Sequence, residues 1–200
     1  TFLGKLGVKP EEILQDARDF WASRADRLRD QGRTGAHILT GPVAVTGAEP
    51  GDTLEIQILE LSTRVPWGIN TVGATSGVFA AEYPGTKPGD PGSGVSAGAN
   101  PPNLIRTAVV NGREVALFSD RIRVPLAPFL GTMAVAPRNP QVGQPGVTVA
   151  GMQSSKPPGP YGGNMDIKAL VTSTSFFQPV FQPGELFYTG YSKGVQGDGE

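Results

Sequence analysis

The residues most suggestive of chemistry form one short stretch, in which two glycines precede two polar side chains. Gly162 and Gly163 let the backbone approach a ligand closely with its N–H groups exposed. Asn164 and Asp166 are two residues apart, so in an extended segment their side chains point to the same face, and Lys168 continues that face. The pattern is typical of a polar ligand site, although a tight surface turn with a solvated acid fits it as well.

A second pair of acids, Asp198 and Glu200, lies between glycines near residue 200. Glycines beside acids are typical of loops that place carboxylates without steric bulk. The rest of the composition narrows the chemistry, because the chain has no cysteine and a single histidine, His37. A thiolate nucleophile, a disulfide, a sulfur-ligated metal and a zinc site built on several histidines of this chain are therefore excluded.

The charge balance gives no electrostatic footprint for a nucleic acid or an anionic membrane surface. Lys and Arg number 17 and Asp and Glu number 18, for a formal net charge of −1. No apolar run approaches the ~18–20 residues needed to span a bilayer, and no signal peptide is visible. We therefore expect a cytoplasmic protein without nucleic-acid or membrane partners.

The elements that must position these residues are predicted to be mainly β, with one helix. Residues 10–30 read as an amphipathic helix that begins at Pro10, with Phe20 and Trp21 in its packing face. Gly32 is predicted to end it. Residues 84–103 are rich in Gly, Pro and Ser and predict a long flexible loop.

Strands are predicted on both sides of that loop. Leu54, Ile56 and Ile58 alternate with polar residues, as a half-buried strand requires. The segment 106–118 predicts a hairpin that turns at residues 111–112, an Asn-Gly pair. Further along, residues 176–181 read as a buried strand and residues 183–185 as a turn.

Five collinear motifs resemble the acetamidase/formamidase family. They are H-x-L-T-G-P-V-x-V-x-G-A-E-P-G-D-x-L at 37–54, P-F-x-G-x-M-x-V-A-P at 128–137, P-x-G-G-N-M-D-x-K at 160–168, P-V-F-x-x-G-E-L-F-x-x-G at 179–190 and Q-G-D-G-E at 196–200. The resemblance covers most of residues 35–200. It implies a sandwich-like, mainly β fold and an amidohydrolase that cleaves short amides such as formamide and acetamide to ammonia and a carboxylate. It also implies a homo-oligomer, a dimer or higher, and residues 1–200 as a single region of a longer family chain.

The chain departs from the family pattern at two positions within residues 190–193, between the last glycine of the fourth motif and the start of the fifth. Family members usually read G-D-x-H there, whereas this chain has Tyr191 in place of the acid and Lys193 in place of the histidine. Three hypotheses follow: an amidohydrolase, an amidohydrolase in which Lys193 takes over from the histidine, and a catalytically impaired relative that binds a small polar ligand.

Amide hydrolysis requires an activated water, donors for the oxyanion and an acid for the leaving nitrogen. We expect Glu200 to be the base, with Asp166 and Asp198 orienting it or binding a divalent cation (zinc or calcium) together with it. His37 is a candidate proton relay, and Lys193 or Lys168 is a candidate for charge balance. A structural role fits His37 as well. No organic cofactor is expected.

Gly163 and Asn164 are candidate substrate-binding residues, with backbone amides of residues 162–164 facing the oxyanion. Trp67 and Asn70 could line the pocket, although packing explains them equally well. Residues 154–156 read Ser-Ser-Lys, as in a different amidase class, but the glycine-rich serine context of that class is missing.

Overall fold

The computed structural model describes residues 2–23, 37–71 and 102–198. Contacts within the chain define two units. Unit 1 consists of Thr1–Leu61 and Pro128–Lys193, and unit 2 of Ser62–Ala127 and Gly194–Glu200. No helix among the described residues is long and apolar enough to cross a membrane.

The predicted helix over residues 10–30 is shorter and interrupted. A four-residue helix α1 (Phe2–Lys5) comes first, then a single 3₁₀ turn at Pro10–Glu12, then helix α2 (Gln15–Ser23). Ile13 is extended (φ −98°, ψ 130°), which separates the 3₁₀ turn from α2. Phe20 is 42% exposed, so the prediction that it lies in a buried packing face of the helix is wrong. Residues 24–36, with the predicted end of the helix, lie outside the described residues.

The described residues of unit 1 form two antiparallel sheets. The order of the larger one is β1-β10-β7-β8, and β2 pairs with β9 in the smaller one. Their bounds are β1 Leu39–Val43, β2 Thr53–Ile58, β7 Phe129–Ala134, β8 Gly162–Asn164, β9 Thr174–Pro179 and β10 Phe187–Lys193. β7 lies between β10 and β8, and all but one of its residues are buried. Phe129, Met133 and Val135 supply the buried apolar side chains of this central segment.

Unit 2 contains one four-stranded antiparallel sheet in the order β3-β4-β5-β6. Its strands are β3 Trp67–Thr71, β4 Pro102–Val110, β5 Arg113–Leu117 and β6 Arg123–Pro125. The predicted hairpin at Asn111 and Gly112 is confirmed, since both residues have the positive φ (51° and 74°) that a two-residue hairpin turn of this kind needs. Of the predicted loop 84–103, residues 84–101 lie outside the described residues and the last two begin β4.

The mainly β prediction is therefore confirmed, and the alternation predicted for Leu54, Ile56 and Ile58 is seen in β2. The predicted buried strand at 176–181 is wrong in detail. Phe177 is 59% exposed and Gln178 is 4% exposed, because neighbouring side chains of a strand point to opposite faces.

Candidate functional site

Strand β8 holds the two glycines where backbones approach closely. Gly162 and Gly163 have φ of 83° and 108°, and a side chain at Gly162 would run into the Met133 carbonyl oxygen. The close approach predicted from the sequence is therefore made to the protein itself. The Gly162 N–H donates to the Gly159 carbonyl at 2.9 Å, so of the predicted oxyanion donors this one is already used.

The side chain of Asn164 is held at both ends. Its Oδ1 accepts from the Thr132 hydroxyl at 3.5 Å, and its Nδ2 donates to the Lys156 carbonyl at 3.3 Å. These contacts fix the amide at the end of β8. Its predicted role in binding a substrate stays a prediction.

Asp166 does not share a strand face with Asn164 and Lys168, contrary to the prediction. β8 ends at Asn164, and Asp166 has a φ of 47°, in the left-handed region. The cause is a tertiary contact, since the N–H groups of Met165 and Asp166 both donate to the Gly131 carbonyl at 3.0 Å. The chain turns there, and the extended geometry on which alternation depends is lost.

The Asp166 carboxylate instead meets Lys193. The Lys193 Nζ lies 3.3 Å from the Asp166 Oδ1, and the two side chains are 19% and 7% exposed. A buried carboxylate needs such a partner, because an ion out of water is costly without compensating charge. Gly131 makes room for the pair, since a Cβ there would lie 2.5 Å from the Asp166 Oδ1 and 2.7 Å from the Tyr191 carbonyl oxygen.

Tyr191 connects this ion pair to the single histidine. The Lys193 Nζ lies 4.0 Å from the centroid of the Tyr191 ring, within the range of a cation–π contact. The Tyr191 and His37 ring centroids are 4.4 Å apart, with the planes tilted by 37°. The His37 Nδ1 is 2.9 Å from the Ser155 hydroxyl. We call His37, Ser155, Asp166, Tyr191 and Lys193 the Asp166 cluster.

Antiparallel pairing explains how His37 reaches this cluster. Leu39 of β1 is opposite Gly190 of β10, so His37, two residues before β1, lies near the end of β10. Ser155 comes from the long connection between β7 and β8 and is separated from its partner His37 by 118 positions. The Ser-Ser-Lys pattern drew attention to this serine, but no feature of the sequence pairs it with the histidine.

The remaining predicted site residues lie elsewhere in the chain. Trp67 and Asn70 are in β3 and Asp198 is in the closing segment of unit 2, at a φ of 61°. Glu200 lies outside the described residues. The roles predicted for these four residues therefore stay predictions.

The described donors do not by themselves fit a metal ion. No group of three His, Asp or Glu side chains that could hold one is found in residues 2–23, 37–71 and 102–198. The positive charge beside Asp166 is the Lys193 ammonium. The zinc or calcium ion predicted with Asp166, Asp198 and Glu200 stays a prediction.

Unit 1 also contains a cavity of about 590 Å³, within the size range of small-molecule sites. Tyr161, which directly precedes β8, and Phe181 contribute aromatic walls, and Arg138 lies over the Phe181 ring at 6.0 Å. The Tyr161 hydroxyl donates to the Pro157 carbonyl at 2.9 Å, which fixes that wall. The cavity is mostly apolar, with prolines along its lining.

Comparisons with known proteins agree with the motifs. A model of the acetamidase/formamidase family matches residues 14–144. An acetamidase of Mycolicibacterium smegmatis is 31% identical over 217 residues, covering 88% of this chain and 52% of the relative. A formamidase of Methylophilus methylotrophus is 29% identical and covers 88% of this chain and 50% of the relative. The chain thus spans about half the length of the curated relatives it matches.

A solved structure shares the fold. The crystal structure of an acetamidase from Bacillus halodurans superposes with a TM-score of 0.59 at 28% identity, over 80% of this chain and 44% of that one.

Proposed function

Because the chain belongs to the acetamidase/formamidase family, we propose that the protein hydrolyses a short carboxylic amide to ammonia and a carboxylate. The family match supports amide hydrolysis as the reaction class. The observation that carries the assignment to this chain is the Asp166 cluster, in which His37 of one family motif and Asp166 of another are linked through Tyr191 and Lys193.

The cluster supplies several of the groups that the reaction requires. The Lys193 ammonium, held by Asp166, can donate to the amide carbonyl oxygen as negative charge develops there. His37, oriented by Ser155, can pass a proton to the leaving nitrogen. Glu200 remains our proposed base for the attacking water. Glu200 would take one proton as the water oxygen bonds to the carbonyl carbon, and the C–N bond of the tetrahedral intermediate would break as His37 delivers a proton to the nitrogen. The proton on Glu200 then replaces the one that His37 gave, so the products are ammonia and the carboxylic acid.

Substrate positioning is proposed for Asn164 and Gly163, with Trp67 and Asn70 as further candidates. The cavity beside Tyr161 has room for an acyl group larger than that of formamide or acetamide. Amides of increasing acyl length are therefore the right substrates to compare.

A second function is favoured by one observation. Tyr191 and Lys193 replace the acid and the histidine usual in the family, and both side chains are engaged in ring and charge contacts inside the cluster. A catalytically impaired relative that binds a small polar ligand would have this arrangement.

Ammonia release separates the two functions. The intact protein is expected to release ammonia from formamide, acetamide or a longer amide. Lys193→Met and Asp166→Asn are expected to lower kcat/KM by about 10²-fold or more, as for loss of a positioned catalytic group. Lys5→Met, at an exposed lysine of α1, is the matched control and should retain the wild-type rate. If no amide is turned over, the hydrolase proposal fails, and calorimetric titration with the same amides then tests the binding function.

We also propose a cytoplasmic homo-oligomer, a dimer or higher, because the family resemblance implies self-association. Light scattering on the intact protein measures the mass, and a monomer at micromolar concentration would contradict the proposal. Fractionation of cells expressing it tests the compartment.

A further inference from the structure

Asp166 is the most enclosed charged group of the cluster. Its side chain is 7% exposed, and its backbone N–H is fixed to the Gly131 carbonyl at 3.0 Å. The carboxylate is thus held by the fold rather than free to swing into solvent. A group in this position requires a cation beside it, and the cation can be a side chain or a bound metal ion.

The cation beside Asp166 is itself held from the other side. The Lys193 Nζ is 3.3 Å from the Asp166 Oδ1 and 4.0 Å from the Tyr191 ring centroid. Tyr191 in turn stacks against His37, which is hydrogen-bonded to Ser155. A lysine side chain normally has many rotamers, but the Asp166 carboxylate on one side and the Tyr191 ring face on the other favour one position for the Lys193 ammonium.

We propose that the Lys193 ammonium takes the place of a divalent cation at Asp166, so that the cluster carries its own positive charge and excludes a metal ion from this carboxylate. Zinc and calcium bind carboxylate oxygens at about 2.0–2.6 Å. An ion at that distance from the Asp166 Oδ1 would lie beside an ammonium that contacts the same atom, and two like charges cannot share the site.

This inference concerns metal binding and does not rest on the proposed hydrolysis, so its test does not measure turnover. The intact protein is treated with a chelator, dialysed and titrated calorimetrically with Zn²⁺ and, separately, with Ca²⁺. The wild type is expected to show no stoichiometric binding that depends on Asp166. Lys193→Met removes the ammonium from the buried carboxylate, so it should bind one of these ions at least tenfold more tightly than the wild type. Adding Asp166→Asn to that variant should abolish the gain.

Lys5→Met is the matched control, because it removes an ammonium from the same protein at an exposed position, and it should bind the ions as the wild type does. Circular dichroism checks that each variant is folded, and Lys193→Gln serves if the Met variant is not. Stoichiometric binding by the wild type that is lost in Asp166→Asn would overturn the proposal. Equal affinities for the wild type and the Lys193 variants would overturn it too, since the ammonium would then exclude nothing.

Discussion

Glu185 offers a sharp test of how burial sets charge in unit 1. Its side chain is fully buried (0% exposed), and neither carboxylate oxygen has a hydrogen-bond partner among the described residues. The backbone holds it there, since its N–H donates to the Gln182 carbonyl at 3.0 Å and its carbonyl accepts from the Ala136 N–H at 3.2 Å. Burial raises the pKa of this carboxyl above its ordinary value of 4.5, and the negative charge of Asp52 raises it further.

The perturbation is Glu185→Gln, which keeps the shape of the side chain and removes its charge. Because the pKa of Glu185 is raised in the folded state, the folded protein binds this proton more tightly than the unfolded chain does. The wild type therefore loses stability as the pH rises from the unfolded pKa through the folded one, and there is no penalty at lower pH. A buried polar group without a partner costs about 1–3 kcal/mol, and more when charged. The glutamine amide is still buried, so the expected gain at neutral and alkaline pH is about 1–2 kcal/mol.

Thermal unfolding at a series of pH values measures this effect. A gain of about 1–2 kcal/mol corresponds to a rise in Tm of ~2–8 °C for a chain of this size, and it should disappear well below the unfolded pKa. Glu55→Gln is the opposing control. Hydrogen bonds from Gln57 and Ser175 lower the pKa of Glu55, so its carboxylate stabilises above the unfolded pKa and that contribution is lost as the pH falls. The reasoning about Glu185 is refuted if Glu185→Gln gives no gain at alkaline pH, or gives the same gain at acid pH.

Two further perturbations follow from the same unit. Gly131→Ala should lower the free energy of unfolding by about 1–3 kcal/mol, because the added Cβ would lie 2.5 Å from the Asp166 Oδ1; thermal melts against Gly68→Ala, where a Cβ meets nothing within 4 Å, check it, and equal losses would contradict it. Tyr188 should stay protonated at about pH 11, because burial raises its pKa to about 12. Ultraviolet titrations of the wild type and of Tyr188→Phe check this. If the variant lacks a tyrosine ionisation that the wild type shows near pH 10, the prediction is wrong.

The features of the fold that could be predicted are the local ones. The Asn-Gly turn between β4 and β5 depends on two adjacent residues that tolerate positive φ. The alternation of β2 depends on the two-residue period of a single strand. Neither feature depends on residues elsewhere in the chain, so both could be predicted from the local sequence.

Two predictions about local structure were wrong, those for the face of Asp166 and for the helix over residues 10–30. Asp166 leaves the expected face because its N–H and that of Met165 donate to the carbonyl of Gly131, which lies 35 and 34 positions earlier in the chain, respectively. The helix predicted over residues 10–30 breaks at Ile13, whose β-branched side chain fits the extended conformation seen there.

The sequence predicted His37, Asp166 and Lys193 as site residues, and in the structure these three side chains belong to one cluster. Their roles, and the places of the other predicted residues in the site, stay predictions. The atomic contacts could not be predicted from the sequence. The order of ammonium, tyrosine ring and imidazole depends on the register in which β1 pairs with β10, and no local sequence pattern determines that register. Ser155 was noted only because residues 154–156 match a pattern of another amidase class. Its contact with His37, 118 positions away, could not be predicted.

Gly131 explains why these motifs meet where they do. Its carbonyl accepts the N–H groups that turn the chain at Asp166, and its missing side chain leaves space for the Asp166 Oδ1 and the Tyr191 carbonyl oxygen. Asp166 and Tyr191 are both non-glycine residues at positive φ (47° and 52°), a conformation that persists only when surrounding contacts enforce it. One glycine in the buried central strand thus allows two strained residues to approach each other from opposite neighbours, β8 and β10. The ion pair and the ring stack are consequences of that approach, so a side chain at position 131 should disturb Asp166 and Tyr191 together.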